Sequence, residues 1–568
     1  MDCGAINSKI YIILFTSSIT LFTTRLIIIN NNWIITIEIP IWTNNNINVS
    51  ATILLDWVST IFISTVIIIS RIILIFRMSY IPKNEYKQFS IILICFVISI
   101  IILIRRENII FILLGWDGLG LTSYILVIYY QNFSSSASGM ITILSNRLGD
   151  IAILLSIGII ITKINWNFII NENFYKICII ILIIAAISKR AQFPFSAWLP
   201  AAIAAPTPIS ALVHSSTLVT AGVYILIRTI NNIHPISIYI LLILSAATTI
   251  YARISANWEQ DIKKIIALST LRQIGIIIFA ISIGAINMAF FHLITHAIFK
   301  SIIFITAGII IHNSSYQDAR HIGLPIYISP IPPIIIMISR IALIGIPFIS
   351  GFYSKDAIIE FILNSKLASL LSYIIIISIG ITALYSIRIF KFSIKSILKI
   401  KKDNIFFNNL FIEIPLLIII PYSIFIGTLI IWISSSTQIF FIPITIKILI
   451  LIILVSGFLL RLIINFNSPK YIKIGIIPLS LWFINYLSTS PFKLIFYLII
   501  ILQINDKSWQ EIYGPKSIYK FFKEKSSIPS TITLKPSFII IIIITTPILI
   551  LLIYFISLSE QFTEDKEA

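Results

Sequence analysis

Apolar runs long enough to cross a membrane follow one another along nearly the whole chain. They lie at about residues 9–29, 51–76, 88–105, 108–130, 137–162, 174–190, 205–230, 236–256, 263–283, 286–311, 328–349, 356–390, 411–433, 443–465, 472–504 and 537–557. About 20 apolar residues in a helix span a hydrocarbon core of about 30 Å, so each run predicts a transmembrane helix. The run 356–390 holds two helices or one broken one, and 472–504 holds two short spans. The pattern therefore predicts an all-α polytopic membrane protein with about fifteen or sixteen transmembrane helices. Residues 10–29 are too long, and too far from any cleavage-like site, for a signal peptide, and are taken as the first span. Asn30 to Ser50 forms a polar, tryptophan-containing connector, and no long soluble domain interrupts the series.

Two stretches resist a smooth helix. FPFSAWLPAAIAAPTPISALVHSS (193–216) carries Pro194, Pro200, Pro206 and Pro208, and GIPFISGFYSKD (345–356) carries Gly345, Pro347 and Gly351. Such residues free backbone groups that lipid cannot satisfy, so breaks at membrane depth occur where they line a protein interior or a cavity. Each break lies beside a lysine, Lys189 or Lys355. One break in each half is the mark of a transporter built from two inverted repeats. Basic loops at 391–402 and 507–535 are separated by about four spans, which puts both on one face, as the positive-inside rule requires. SWQEIYGPKSIYKFFKEK (508–525) mixes aromatics with lysines and predicts an amphipathic helix lying on the membrane surface before a last span. The expected organisation is N-terminal helices and connector over 1–87, a two-repeat core over 88–390, further transmembrane helices over 391–505, the surface helix over 506–536, and a terminal span and tail over 537–568.

Composition narrows the class further. The chain is 58% hydrophobic and 11% charged, with a mean hydropathy of +1.03, which excludes a soluble protein of this length. Its formal charge of +19 lies largely in short loops. This fits anionic lipid headgroups and membrane orientation, and argues against nucleic acid as a partner. Cys3, Cys95 and Cys178 form no CxxC pair, so no iron–sulfur ligand set or disulfide scaffold is visible. No glycine-rich phosphate loop is present either.

Titratable residues inside the apolar runs carry the candidate chemistry. In HLITHAIFKSIIFI (292–305), His292, His296 and Lys300 recur four residues apart and share one helical stripe. Charges inside lipid are costly and mark conduction pathways. A lysine taken out of water loses the hydration of its ammonium, which makes its proton exchangeable near neutral pH, whereas an arginine stays charged. Lys189, Lys300 and Lys355 are the candidates, set against the plainer reading of lysines snorkelling from helix ends. Asp117 in LLGWDGLGLTSY and Asp150 in LSNRLGDIA are the acidic candidates, with Arg147 one turn before Asp150 as an equally weighted structural ion pair. His214, after the first break, can relay a proton or bond a freed carbonyl. A metal on His292 and His296 is disfavoured because HLITH lacks the carboxylate of HExxH.

Taken in order, GWDGLGLTSY, NRLGD, QFPFSAWLPAAIAAPTPISALVHSSTLVTAGVYILIR, QDIKKIIALST, FHLITHAIFKSIIF, IIHN…QDAR and GFYSKD resemble the chain-5 family of NADH-ubiquinone oxidoreductase, respiratory complex I, in its insect form. The resemblance is strong over 51–390 and weaker beyond. It implies an antiporter-like, proton-translocating subunit of the multi-pass inner mitochondrial membrane, lying among other membrane-arm subunits beside a second antiporter-like one. It further implies that NADH, FMN, iron–sulfur clusters and ubiquinone serve the whole complex, with no cofactor bound by this chain. By motif, Lys189, Lys300 and Lys355 correspond to a central polar axis, Asp117 to the acidic site of the first channel, and Arg147 with Asp150 to a gating pair. His214, His292 and His296 correspond to linking positions, and Asp356 follows Lys355 as in the family. The segment after residue 507 corresponds to a lateral helix running along neighbouring subunits. Two departures stand out: Asp117 replaces a common glutamate, and Ala204 and Ala205 replace a common acidic residue. Arg190, Arg272 and Arg340 stand where the family usually carries a small residue, and isoleucine greatly exceeds the five methionines. Both suggest codons translated as Arg and Ile that an organelle reads as Ser and Met. The competing readings are a cation/proton antiporter outside complex I, and a structural subunit whose charges only pair and anchor helices.

Overall fold

Asp56 begins the first long helix among the described residues of the computed structural model. Its carboxylate accepts the Ser59 amide at 2.9 Å and its own amide donates to the Ser59 hydroxyl at 3.0 Å, a reciprocal cap. The structure describes residues 34–44, 47–161, 176–229, 234–314, 316–322, 330–364, 369–394, 410–434, 444–463, 475–479 and 497–526. In chain order its main helices are α1 (Trp57–Tyr80), α2 (Tyr86–Arg105), α3 (Ile109–Val127), α4 (Phe133–Ile161), α5 (Lys176–Lys189) and α6 (Leu218–Thr229). They continue with α7 (Pro235–Trp258), α8 (Ile262–Ile283), α9 (Ile286–Ser314), α10 (Ile331–Ile344) and α11 (Ser350–Asn364). Then come α12 (Ser369–Ile394), α13 (Leu410–Ser434) and α14 (Ile444–Ile463). Among the described residues ten helices are long and apolar enough to cross a membrane, and α5, α10 and part of α14 are shorter apolar helices. The chain is a multi-pass membrane protein. The expected spans at 9–29 and 537–557 lie outside the described residues, and 472–504 falls mostly outside them.

The helices are not equivalent. The apolar lengths of α8 and α9 are buried throughout, whereas those of α3 and α4 are only 39% buried. The first pair therefore forms the centre of the bundle and the second faces outward. Close approach is built from small residues. A Cβ on Gly149 of α4 would meet the Ser188 side chain of α5 at 2.2 Å.

One expectation fails at the N-terminal end. Residues taken for a polar connector and the start of a span form an antiparallel hairpin, β1 (Ile35–Asn44) with β2 (Ile47–Leu55), in the register Ile35↔Leu55 to Asn44↔Ile47. The following span thus starts at Trp57 and not at Ala51. The strand signal was present in ITIEIPIW, where isoleucine alternates with other residues at period two. The Asn108 side-chain amide fastens the hairpin by donating to the Ser50 carbonyl at 3.0 Å.

Both predicted breaks are present. After α5 the chain turns irregular, makes short helical turns at Trp198–Ala201 and Ala202–Ala204, and re-enters through Thr207–Ile209 and a π-helical stretch, Ser210–Thr217, that leads into α6. Between α10 and α11, Gly345 takes the left-handed φ of +87° that ends a helix. Freed carbonyls are satisfied from within: Trp198 Nε1 donates to Ser188 O at 2.9 Å, and Lys355 Nζ to Leu343 O and Ile344 O, each at 2.8 Å.

The chain divides into two compact units, Met1–Tyr486 and Leu487–Ala568. The described part of the second, residues 497–526, is helical with a kink at Gly514 and ends in α15 (Ser517–Ser526). Ile518, Phe521 and Phe522 fall on one face of α15 and Lys520 and Lys523 on another. This is the amphipathic pattern expected of the segment, and its apolar side chains are exposed.

Candidate functional site

The two breaks place lysines in the interior, where the surrounding helices supply neutral oxygens. At the end of α5, Lys189 is fully buried. Its Nζ donates to the Trp116 carbonyl of α3 at 3.1 Å and lies 4.6 Å from the centre of the Trp116 ring. Trp116 Nε1 in turn donates to Asp150 Oδ1 of α4 at 2.7 Å, and Asp150 Oδ2 accepts from Arg147 at 3.2 Å. The series Lys189–Trp116–Asp150–Arg147 thus joins three helices and ends on a half-exposed guanidinium. Asp117, next to Trp116, lies within electrostatic reach of Lys189, Asp150 and Arg147. Its buried Oδ1 has no hydrogen-bond partner among the described residues.

A second array runs along α9. Lys300, fully buried, donates from Nζ to the Ser269 hydroxyl and to Ile266 O at 3.3 Å, both on α8. One turn earlier, neither ring nitrogen of buried His296 has a partner among the described residues. Its ring lies edge-on to Phe299 and 6.4 Å from that of His292. His292 Nδ1 is 2.9 Å from Ser354 Oγ, and its Nε2 is 3.2 Å from Gln273 Oε1. A neutral ring protonated at Nε2 satisfies both contacts. Ser354 precedes Lys355, whose Nζ caps the end of α10. Lys355 has Asp356 within electrostatic reach.

The predicted residues therefore gather into two arrays. Lys189, Asp117, Asp150 and Arg147 form the first, and His292, His296, Lys300, Lys355 and the adjoining Asp356 the second. His214 falls in the π-helical stretch between the first break and α6, a distortion common at functional sites. Sequence reasoning missed the role of α8. Lys263, Ile266, Ser269 and Gln273 recur three, three and four residues apart, hence on one stripe. Lys263 is 5% exposed and donates to the Ala205 carbonyl of the first break at 3.4 Å. The rest of the stripe serves Lys300 and His292. The neighbouring Lys264 points elsewhere, pairing with Asp261 at 2.9 Å. In the sequence QDIKKIIALST counted only for its resemblance; the helical period, which separates adjacent residues by 100°, was the unused signal.

A site of this kind can pass protons among lysine, histidine and hydroxyl groups but offers little to a metal. Among the described residues no group of three or more histidine, cysteine, aspartate or glutamate side chains is arranged to hold an ion.

Comparison with known proteins places this architecture. Residues 107–382 match the family described as NADH:quinone oxidoreductase/Mrp antiporter, TM, and residues 385–556 match NADH dehydrogenase subunit 5 C-terminus. NADH-ubiquinone oxidoreductase chain 5 of Locusta migratoria is 39% identical over 508 residues, 84% of this chain and 87% of that one. The chain 5 of Aedes aegypti is 37% identical over 540 residues, covering 91% and 92%. That of Lumbricus terrestris is 37% identical over 552 residues, covering 93% and 94%. In fold, a chain of the Mrp complex from Dietzia superposes with a TM-score of 0.71 at 18% identity, covering 94% of this chain and 59% of that chain. A chain of the archaeal membrane-bound sulfane sulfur reductase gives 0.67 at 18% identity, covering 81% and 95%. With its antiporter-type fold and relatives matched over most of their length, this chain belongs to the NADH-ubiquinone oxidoreductase chain 5 family.

Proposed function

We propose that this chain is a core membrane-arm subunit of complex I in the inner mitochondrial membrane, packed beside other membrane-arm subunits including an antiporter-like one. In this reading it translocates protons, while NADH, FMN, iron–sulfur clusters and ubiquinone carry the electrons in other subunits. The observation that supports it most is Lys300. It sits at the centre of the bundle on a fully buried helix, and its ammonium is held by a carbonyl and a hydroxyl. No carboxylate pairs with it among the described residues. A lysine serving only to anchor helices would be matched by a buried acid, because an unpaired charge in that position is strongly destabilising.

The remaining groups fall into roles around it. Along α9, His296, whose ring nitrogens have no partner among the described residues, lies between Lys300 and His292, and His292 leads through Ser354 to the turn that holds Lys355. At the other end, Lys263 reaches the Ala205 carbonyl of the first break. The Lys189 proton is coupled to the Asp150–Arg147 pair through Trp116, so opening that pair changes the charge felt by the lysine. The helix of 497–526, amphipathic and exposed, is the segment that runs along neighbouring subunits.

Substituting Lys189→Ala tests the proposal. Proton pumping and NADH:ubiquinone turnover should fall by about tenfold or more, the usual scale for removing a proton-transfer group. NADH oxidation by artificial acceptors should remain intact. Loss of both activities in a fully assembled complex would count against a role in translocation. Failed assembly alone, with normal pumping in the fraction that assembles, would favour a structural subunit.

A further inference from the structure

A cavity opens where α1 ends, α2 begins and α3 ends, with Pro206 of the first break on its wall. It has a volume of about 620 Å³, within the range of small-molecule sites. Tyr80, Tyr124, Tyr129 and Tyr130 line it together with Glu85 and Gln88. Four aromatic rings and a carboxylate around one space are the recognition chemistry of an alkylated ammonium group: the ring faces attract the cation and the carboxylate balances its charge. We propose that this cavity holds the headgroup of a zwitterionic phospholipid, its ammonium against the tyrosines and Glu85.

The rings are fixed before any ligand arrives. The Tyr129 hydroxyl donates to Glu85 Oε2 at 2.5 Å, and its ring meets Phe89 edge-on at 5.3 Å. Tyr130 lies across Tyr129 at 6.0 Å with the ring planes at 68°, and the Tyr130 and Tyr80 hydroxyls hydrogen-bond each other. Both residues follow the end of the α3 span. Burial, reinforced by Glu85, pushes the Tyr129 phenol up; burial, reinforced by Tyr80, does the same for Tyr130. These two phenols therefore stay neutral, and Glu85 is the one carboxyl-bearing side chain on the described wall.

The position selects a lipid over a free ammonium compound. The cavity lies at the polar ends of three apolar helices, the level at which membrane proteins meet headgroups. Ile92, Ile125 and Ile128 continue its wall, and Ile91 and Ile125 are exposed by 62% and 49% along the outward faces of α2 and α3. Acyl chains have apolar surface to follow there. Lys87, exposed on the first turn of α2, offers a cation to the phosphate.

The test uses the intact detergent-solubilised complex with two photoreactive probes of identical acyl chains, one a phosphatidylcholine and one a phosphatidylglycerol. Mass spectrometry of the crosslinked peptides should find residues 80–92 and 124–131 labelled several-fold more by the choline probe. Glu85→Gln should cut that labelling about fivefold in an assembled complex, as expected for weakening one cation site, and Tyr130→Leu should do the same. Excess choline chloride should compete poorly. Equal labelling by both probes, or labelling undiminished in both variants, would mean annular lipid only and overturn the proposal. Full displacement by choline chloride, or crosslinks from these peptides to another subunit instead of lipid, would also overturn it.

Discussion

Four guanidinium groups sit inside the bundle with little to hold them. Arg190, Arg253, Arg272 and Arg340 are each at most 2% exposed. Arg340 has no hydrogen-bond partner for any side-chain nitrogen among the described residues, and each of the other three leaves two nitrogens unpaired. What contacts exist are a carbonyl or a phenol: Gly222 O for Arg190, Ile375 O for Arg253 and the Tyr385 hydroxyl for Arg272. A central arginine costs about 2.5–3.5 kcal/mol on the insertion scale, so four cost on the order of 10 kcal/mol. That is comparable with the whole stability of a typical domain. The paired Arg228, by contrast, makes bidentate contact with Asp56 at 2.6 and 2.8 Å. Serine at 190, 272 and 340, the expectation from the sequence, would remove most of this conflict and two cations from around Lys300, and the same change at 253 would remove the rest. Peptide mass spectrometry of the isolated chain should read Ser at 190, 253, 272 and 340. Intact Arg272 would sink the idea. Three of the four were legible in the sequence as arginines inside apolar spans. Arg253 was not, because it lies near a helix end, where an arginine is ordinary until packing shows it buried.

At the scale of elements, the breaks matter more than the spans. Proline and glycine made both visible in the sequence, yet only packing shows how tightly the second is closed. A Cβ on Gly351 would stand 1.8 Å from the Ala342 carbonyl of α10, a backbone atom that cannot swing away. Gly351→Ala should therefore push α10 and α11 apart and destabilise the chain by about 1–3 kcal/mol or more. The expected outcome is less assembled complex on a native gel and, in what does assemble, reduced pumping because Lys355 leaves its carbonyls. Normal assembly and pumping would show that the close approach is relaxed in the membrane. The hairpin at 35–55 and the π-helical stretch at 210–217 were missed for different reasons. The first was read as a polar connector, with the apolar end of β2 absorbed into the following run, and the second was hidden by the lack of any sequence period for a local excess of residues per turn.

Over the whole molecule, one buried ion pair ties α1 to the core. Asp56 caps α1 and accepts two hydrogen bonds from Arg228, whose guanidinium lies 4.9 Å from the Tyr224 ring; the Tyr224 hydroxyl donates to Ile104 O at 2.7 Å. Burial opposes the Asp56 charge, but Arg228 and Ser59 outweigh it and hold the carboxyl below its ordinary 3.8. A lowered folded value means that the contribution to stability is complete above about pH 3.8 and is lost as pH falls further. Asp56→Asn leaves a buried cation and should destabilise by about 3–5 kcal/mol at neutral pH. It should also flatten the acid limb of a thermal-stability profile of the purified complex. An unchanged acid limb would mean that other carboxylates dominate there.

The sequence by itself determined the class of this protein and most of its spans through apolar length, both breaks through proline and glycine, and the residues worth testing through titratable groups inside the apolar runs, because a bilayer punishes every exposed polar group and so writes its demands into the local sequence. Tertiary structure alone decided which helices are central, that Trp116 stands between Lys189 and Asp150, and that one stripe of α8 serves Lys300, His292 and the first break. It also decided which arginines have partners. Those facts join residues far apart in the chain, and no local pattern records which oxygen a buried nitrogen will find.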